Sequence, residues 1–123
     1  MKPAARRSAT ALVAALLVAC LAACAPPGTK PELVPSDEGV TPVVVVRAFD
    51  NAYEPREVSI KPGDAVQWVF KGISGKHDVV ALDGSFVSEL VYEGTYTHVF
   101  DEAGVFDYNC SIHPEMTGVV KVG

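Results

Sequence analysis

The sequence predicts an all-β domain, a sandwich or barrel of six to eight short strands, behind an export leader and a proline-rich tether. Three observations predict it. Apolar residues from Val43 to Val122 come in short Val-rich runs, several alternating with period two. Nine prolines and ten glycines punctuate the chain at the spacing of strands and turns. There is no internal repeat and no long amphipathic helical pattern.

Residues 1–23 read as a bacterial lipoprotein signal peptide. Lys2, Arg6 and Arg7 form a basic start, and Ala11 to Ala23 form an apolar stretch too short to span a bilayer comfortably. Small residues then precede a cysteine twice, in Leu17-Val-Ala-Cys20 and Leu21-Ala-Ala-Cys24. Both resemble the lipoprotein cleavage box. Cys24 is the expected lipidated residue, because it leaves the longer apolar core intact and polar, Pro-rich sequence follows at once. Cys20, or an ordinary secretory cut after an Ala-x-Ala pattern, are the alternatives. Each of these places the mature domain outside the cytoplasm, and lipidation anchors it to the cell membrane. Residues 24–41 are then a lipid-anchored flexible tether. The segment has little to bury, and its prolines block a helix. Its 17 residues after Cys24 reach roughly 50 Å as polyproline, or about 23 Å as a flexible coil.

Residues 42–123 form the folded domain. Val43-Val-Val-Val-Arg-Ala-Phe49 reads as a strand with a buried face, and Glu57-Val-Ser-Ile60 alternates. Pro62-Gly63-Asp64 marks a tight turn. In Ala65–Phe70, Val66 and Trp68 share one face and Gln67 takes the other. Gly72–Gly75 is a loop, His77–Leu82 is strand-like, and Gly84–Glu89 is irregular. Tyr96–Phe100 and Val105–Asn109 are strands separated by a turn at Gly104, and Thr117–Val122 closes the chain. Such punctuation suggests antiparallel packing.

Chemistry concentrates in Cys110-Ser-Ile-His113-Pro-Glu-Met116, which sets a thiolate, an imidazole and a thioether at three-residue intervals. A second imidazole, His77, lies upstream. Two His, one Cys and one weak Met donor are the ligands of a blue-copper electron-transfer centre. Cys110 is the only cysteine of the folded domain, so it has no disulfide partner there. An exported domain with a free thiol risks oxidation, and metal coordination protects it as thiolate. Zinc sites use Cys, His and carboxylates in closed tetrahedra, whereas the thioether points to copper. Met116 is the only methionine besides Met1. His98, on the alternating run Tyr96–Phe100, has no matching partner and is not expected to bind metal. Glu115 is expected to face solvent.

The ligands and the motifs around them make the chain similar to a cupredoxin of the plastocyanin/amicyanin group over residues 43–123. The residues that carry the resemblance are Tyr53-x-Pro55, Val58-x-Ile60, Pro62-Gly63-Asp64, Val66-x-Trp68, His77, Tyr108-x-Cys110 and Cys110-x-x-His113-x-x-Met116. The two-residue gap between His113 and Met116 resembles the short loop of amicyanin. The resemblance implies a Greek-key β-sandwich with copper near one end, bound equatorially by His77, Cys110 and His113 and axially by Met116. It also implies an apolar docking patch, to which Ile112 and Pro114 contribute, with His113 as the exit for the electron. Independently of it, Tyr108 and Cys110 share a strand face, so the ring packs beneath the site. Pro114 holds His113 extended and stiffens the ligand loop.

One position departs from the family. The residue after the first ligand histidine is commonly Asn there, and here it is Asp78. Asp78 is expected to take over the tie between ligand segments by accepting from the hydroxyl or backbone N–H of Ser111. A carboxylate about 6 Å from copper, at an effective ε of about 20, favours Cu(II) by roughly 3 kcal/mol. That is at most on the order of 100 mV of lowered potential.

Net charge is −5, and it falls to −8 once residues 1–23, with three bases and no acid, are removed. Nucleic acid is thereby disfavoured, and a basic redox partner protein fits better. Three histidines are too few for the clusters of multicopper oxidases, and the ligand loop holds Ser111, Ile112 and Glu115 where a dinuclear centre would need a second cysteine. The expected function is therefore that of a monomeric, lipid-anchored one-electron carrier with one copper ion, and not an enzyme. A copper-binding or copper-delivery lipoprotein is the alternative.

Overall fold

The computed structural model of the protein describes residues 28–123. The expected signal peptide and the lipidation position, Cys24, lie outside the described residues. Within them the chain is all β, with eight strands: β1 (Val44–Phe49), β2 (Ala52–Glu54), β3 (Glu57–Ile60), β4 (Asp64–Phe70), β5 (Val80–Ala81), β6 (Gly94–Phe100), β7 (Gly104–Cys110) and β8 (His113–Val122). They form two four-stranded sheets, ordered β2-β1-β4-β6 and β3-β8-β7-β5. Only β1–β2 and β7–β8 are joined within a sheet; every other connection crosses to the opposite one.

Alternation sets which side chains meet between the sheets. Val46 and Ala48 of β1 are buried while Val45 and Arg47 face out. Trp68 and Phe70 of β4 and Val120 and Val122 of β8 point into the same core. Burying such side chains supplies the main driving force, roughly 1.5–3 kcal/mol for each large one. At the centre, Trp68 stacks on Phe86 with centroids 5.4 Å apart. Tyr108 meets Trp68 edge-on at 5.4 Å and Tyr53 at 4.8 Å. Gly118 lies opposite Tyr108 in the β7–β8 ladder, and the ring fills the space where a side chain would stand. The turn at Pro62-Gly63 closes with Asp64 N donating to Lys61 O at 3.0 Å, and Gly63 takes the positive φ of 92° that it requires.

Several details differ from the sequence expectation. Pairing is mixed, because β1 runs parallel to β4 and β3 parallel to β8. A period-two pattern reports which face is buried, not the direction of the neighbouring strand, and β2 and β3 supply the crossover that a parallel neighbour needs. The expected strand His77–Leu82 shrinks to Val80–Ala81. Residues 77–81 instead pair irregularly with 86–91, His77 and Val91 exchanging both backbone bonds at 3.0 Å. The bend between β6 and β7 falls at 101–103, and Gly104 already belongs to β7. The ligand stretch is mostly strand: only Ser111 and Ile112 turn, and β8 begins at His113.

The segment expected to be a flexible tether is docked over much of its length. Val34 N donates to Val87 O at 2.9 Å and Asp37 N to Thr97 O at 2.9 Å. Ser36 Oγ and Asp37 Oδ2 accept from the Thr97 and Val99 amides at 3.0 and 2.8 Å. The sequence shows no apolar periodicity there because the arm is held by hydrogen bonds to Val87 and to the backbone of β6, not by a buried stripe. The packed body therefore extends back to Lys30.

Candidate metal centre

Three local structures bring the donors together at one end of the sandwich. The loop after β4 delivers His77, the last residue of β7 is Cys110, and the first of β8 is His113. A two-residue turn at Ser111-Ile112 sets Cys110 and His113 opposite each other in register, with a bulge at Asn109/Cys110. Such a bulge re-aims the last side chain of a strand. One donor atom from each of His77, Cys110 and His113 lies within 4.8 Å of the others. Cys110 Sγ is 3.5 Å from His113 Nδ1, and the two imidazole centroids are 5.0 Å apart. Met116, three residues further along β8, is buried in the core cluster that also contains Cys110. Glu115 is exposed. His98 is not in the group: it lies between Phe86 and Phe100, with Asp37 Oδ2 3.6 Å from its Nδ1.

The donors carry the marks of a metal site. His77 is fully buried, and its Nδ1 has no hydrogen-bond partner. A buried ring nitrogen left empty is costly unless a cation or donor occupies it. Its other nitrogen, Nε2, is 3.2 Å from Ser74 Oγ, which itself accepts from Asp50 N at 2.9 Å. With the proton on Nε2 toward Ser74, Nδ1 keeps its lone pair free for a metal ion. Burial, then the neighbouring His113, lowers the pKa of His77 and keeps the imidazole neutral. Burial likewise pushes the Cys110 thiol up. A metal ion reverses that preference by binding the thiolate. The residues therefore fit a soft, thiolate-binding cation such as copper.

Around the donors, Asp78 joins the two ligand segments. Its Oδ1 accepts from Ser111 N at 2.7 Å and its Oδ2 from Ser111 Oγ at 2.6 Å. Its backbone carbonyl accepts from Tyr53 Oη. Burial raises the Asp78 carboxyl, but hydrogen bonds from Lys30 and Ser111 outweigh it and hold the pKa below the usual carboxylate value. The isolated carboxylate assumed from the sequence is thus corrected: Lys30 Nζ sits 2.7 Å from Oδ2. Sequence reasoning missed three contributors here. Ser74 lay inside the Gly72–Gly75 loop, Lys30 inside the proline-rich tether, and Tyr53 carried a motif but no role. The Tyr53-x-Pro55 motif was the one available signal.

No protein-family model matches the chain. It is similar to amicyanin of Paracoccus versutus, at 34% identity over 94 residues covering 72% of this chain and 67% of that protein. Amicyanin of Paracoccus denitrificans is 33% identical over 87 residues, 64% of each chain, so the match spans just under two thirds of that relative's length. The crystal structure of the Paracoccus versutus amicyanin resembles this fold with a TM-score of 0.58 at 32% identity, over 75% of this chain and 92% of that one.

Proposed function

This chain belongs to the amicyanin-like cupredoxins, and on that premise we propose that it carries single electrons at one type 1 copper ion held by His77, Cys110 and His113, with Met116 as the weak fourth donor. The convergence of three donor atoms within 4.8 Å carries the reading. When bound, copper supplies a Cu(II)/Cu(I) couple. The residues of the chain do the rest. Cys110 is buried, so its sulfur is screened from water and oxidants. Ser74 fixes the His77 ring, and the ladder that begins at Cys110↔His113 fixes the other two donors. Donors mounted on a hairpin and a braced loop move little when charge changes, which keeps the reorganisation small. His113 is only half-buried and follows the exposed Ile112. It is the donor placed to pass an electron to a docked protein.

Four protein donors and only three histidines in the chain support a carrier and not an enzyme. The acidic balance of the mature sequence supports a basic redox partner and a monomer between encounters. The basic start, the apolar stretch and the cysteine box support export and anchoring to the cell membrane through lipid on Cys24. Cyclic voltammetry of the copper-loaded protein tests the carrier reading, together with a chelator challenge. A carrier gives a reversible one-electron wave and retains its metal. Sluggish electron self-exchange with ready loss of copper to the chelator favours delivery instead.

A further inference from the structure

Asp78 is a fully buried carboxylate one residue after a metal-binding histidine. A charge in that position needs a partner, and breaking such a pair leaves it uncompensated. The partner comes from far away in sequence. Lys30 Nζ donates to Asp78 Oδ2 at 2.7 Å and to Ser88 O at 2.6 Å. Ser88 in turn holds the His77 segment, its Oγ accepting from Val79 N at 2.9 Å. The lysine therefore pins both sides of the irregular pairing between residues 77–81 and 86–91. Its own place is set by the arm, which is bonded to the body at Val34, Ser36 and Asp37. Its side chain is 27% exposed against 0% for Asp78, so the ammonium closes the buried carboxylate off from solvent.

We propose that Lys30 is a positioning residue of the metal centre: from the N-terminal arm it balances and clamps Asp78, and through Asp78 it holds the Cys110–Ser111 segment against the His77 segment. An uncharged amide at position 78 would tie the same two segments with no counter-ion. A carboxylate there accepts both Ser111 donors and adds a negative charge, which Lys30 offsets. The arm is then part of the centre and not a spacer. The structural half of this inference stands without copper; the electrochemical half rests on the reading proposed above.

The test uses the full chain and four variants, Lys30→Met, Lys30→Arg, Asp78→Asn and the double variant Lys30→Met/Asp78→Asn. In the copper-free protein, urea unfolding of Lys30→Met is expected to show at least a tenfold smaller folding equilibrium constant. Lys30→Arg recovers most of it, and adding Asp78→Asn to Lys30→Met does so too, because no buried charge is left unpaired. In the copper-loaded protein, Lys30→Met is expected to lower the midpoint potential, Asp78→Asn to raise it, and the double variant to return toward wild type. Opposite shifts show that both charges are felt at the metal, and the recovery of copper-free stability in the double variant marks the positioning role, because a lysine acting on the metal only through space would leave the two stability costs additive. Copper-free stability equal to wild type in Lys30→Met, or a blue protein whose potential ignores the substitution, overturns the inference. A wild type that never forms a blue centre overturns the copper reading instead, and the copper-free series still decides the clamp.

Discussion

Gly118→Ala is expected to be among the most damaging single-methyl changes in this domain. A Cβ at position 118 would stand 2.3 Å from both Cζ and Oη of Tyr108 and 2.8 Å from its Cε2. Carbon atoms pack at about 3.5–4.0 Å, so ring or strand must give by more than about 1 Å. Neither has room. The ring is 1% exposed and wedged against Tyr53, Trp68 and Phe86 at centroid distances of 4.8, 5.4 and 5.9 Å. Strand β8 is pinned by β3 on one side and β7 on the other. Overpacking usually costs about 1–3 kcal/mol, and a fully braced ring belongs at the upper end. About 3 kcal/mol corresponds to a fall of roughly 12–24 °C in Tm for a domain of this size. Urea and thermal unfolding of the copper-free protein measure it, with Tyr108→Leu as the control. Tyr108→Leu costs stability alone, but is expected to relieve part of the defect when combined with Gly118→Ala, giving a coupling of about 1 kcal/mol or more. A Gly118→Ala protein within about 0.5 kcal/mol of wild type, or purely additive costs, would refute the reasoning.

Ser74→Ala removes the bond that orients His77 and is expected to weaken copper affinity by about 10–100-fold, measured by competition with a chromophoric chelator. Metal binding displaces the Cys110 proton, and burial raises that thiol's pKa, so affinity is expected to climb about tenfold per pH unit between about pH 6.5 and 8.5. A flat profile in the same titration would argue against thiolate coordination. His77 and His98 both have pKa values lowered by burial, so the unfolded chain takes up protons that the folded one refuses. Stability of the copper-free protein is therefore full above about pH 6.5 and falls as pH drops below it, and His98→Gln is expected to flatten part of that slope in urea titrations at pH 5 and 7.

The grouping of Cys110 and His113 with His77 was legible because its chemistry is local: Cys110 and His113 sit three residues apart, and few residue types bind a soft cation. The strands that form the core were legible for a similar reason, since Val46, Ala48, Trp68 and Val120 obey the two-residue period. What failed to show was non-periodic or long-range. Ala52–Glu54 is too short to display alternation. Parallel β1–β4 pairing leaves no trace in a one-face pattern. Lys30 meets Asp78 across 48 residues, and nothing near either residue announces the other. The carboxylate was recognised as a departure from the family, but its counter-ion was invisible, so its effect on potential looked larger than a balanced pair allows. Gly118 stands in the closing run Thr117–Val122, with nothing beside it in sequence to announce the Tyr108 ring that occupies its face.

The visible absorption spectrum of the oxidised, copper-loaded protein, recorded beside that of Cys110→Ala, tests the central claim most directly. Coordination of the Cys110 sulfur alongside the His77 and His113 imidazoles predicts an intense thiolate-to-copper band that disappears in the variant. A colourless protein with its thiol still titratable, or a band that survives in Cys110→Ala, would contradict it.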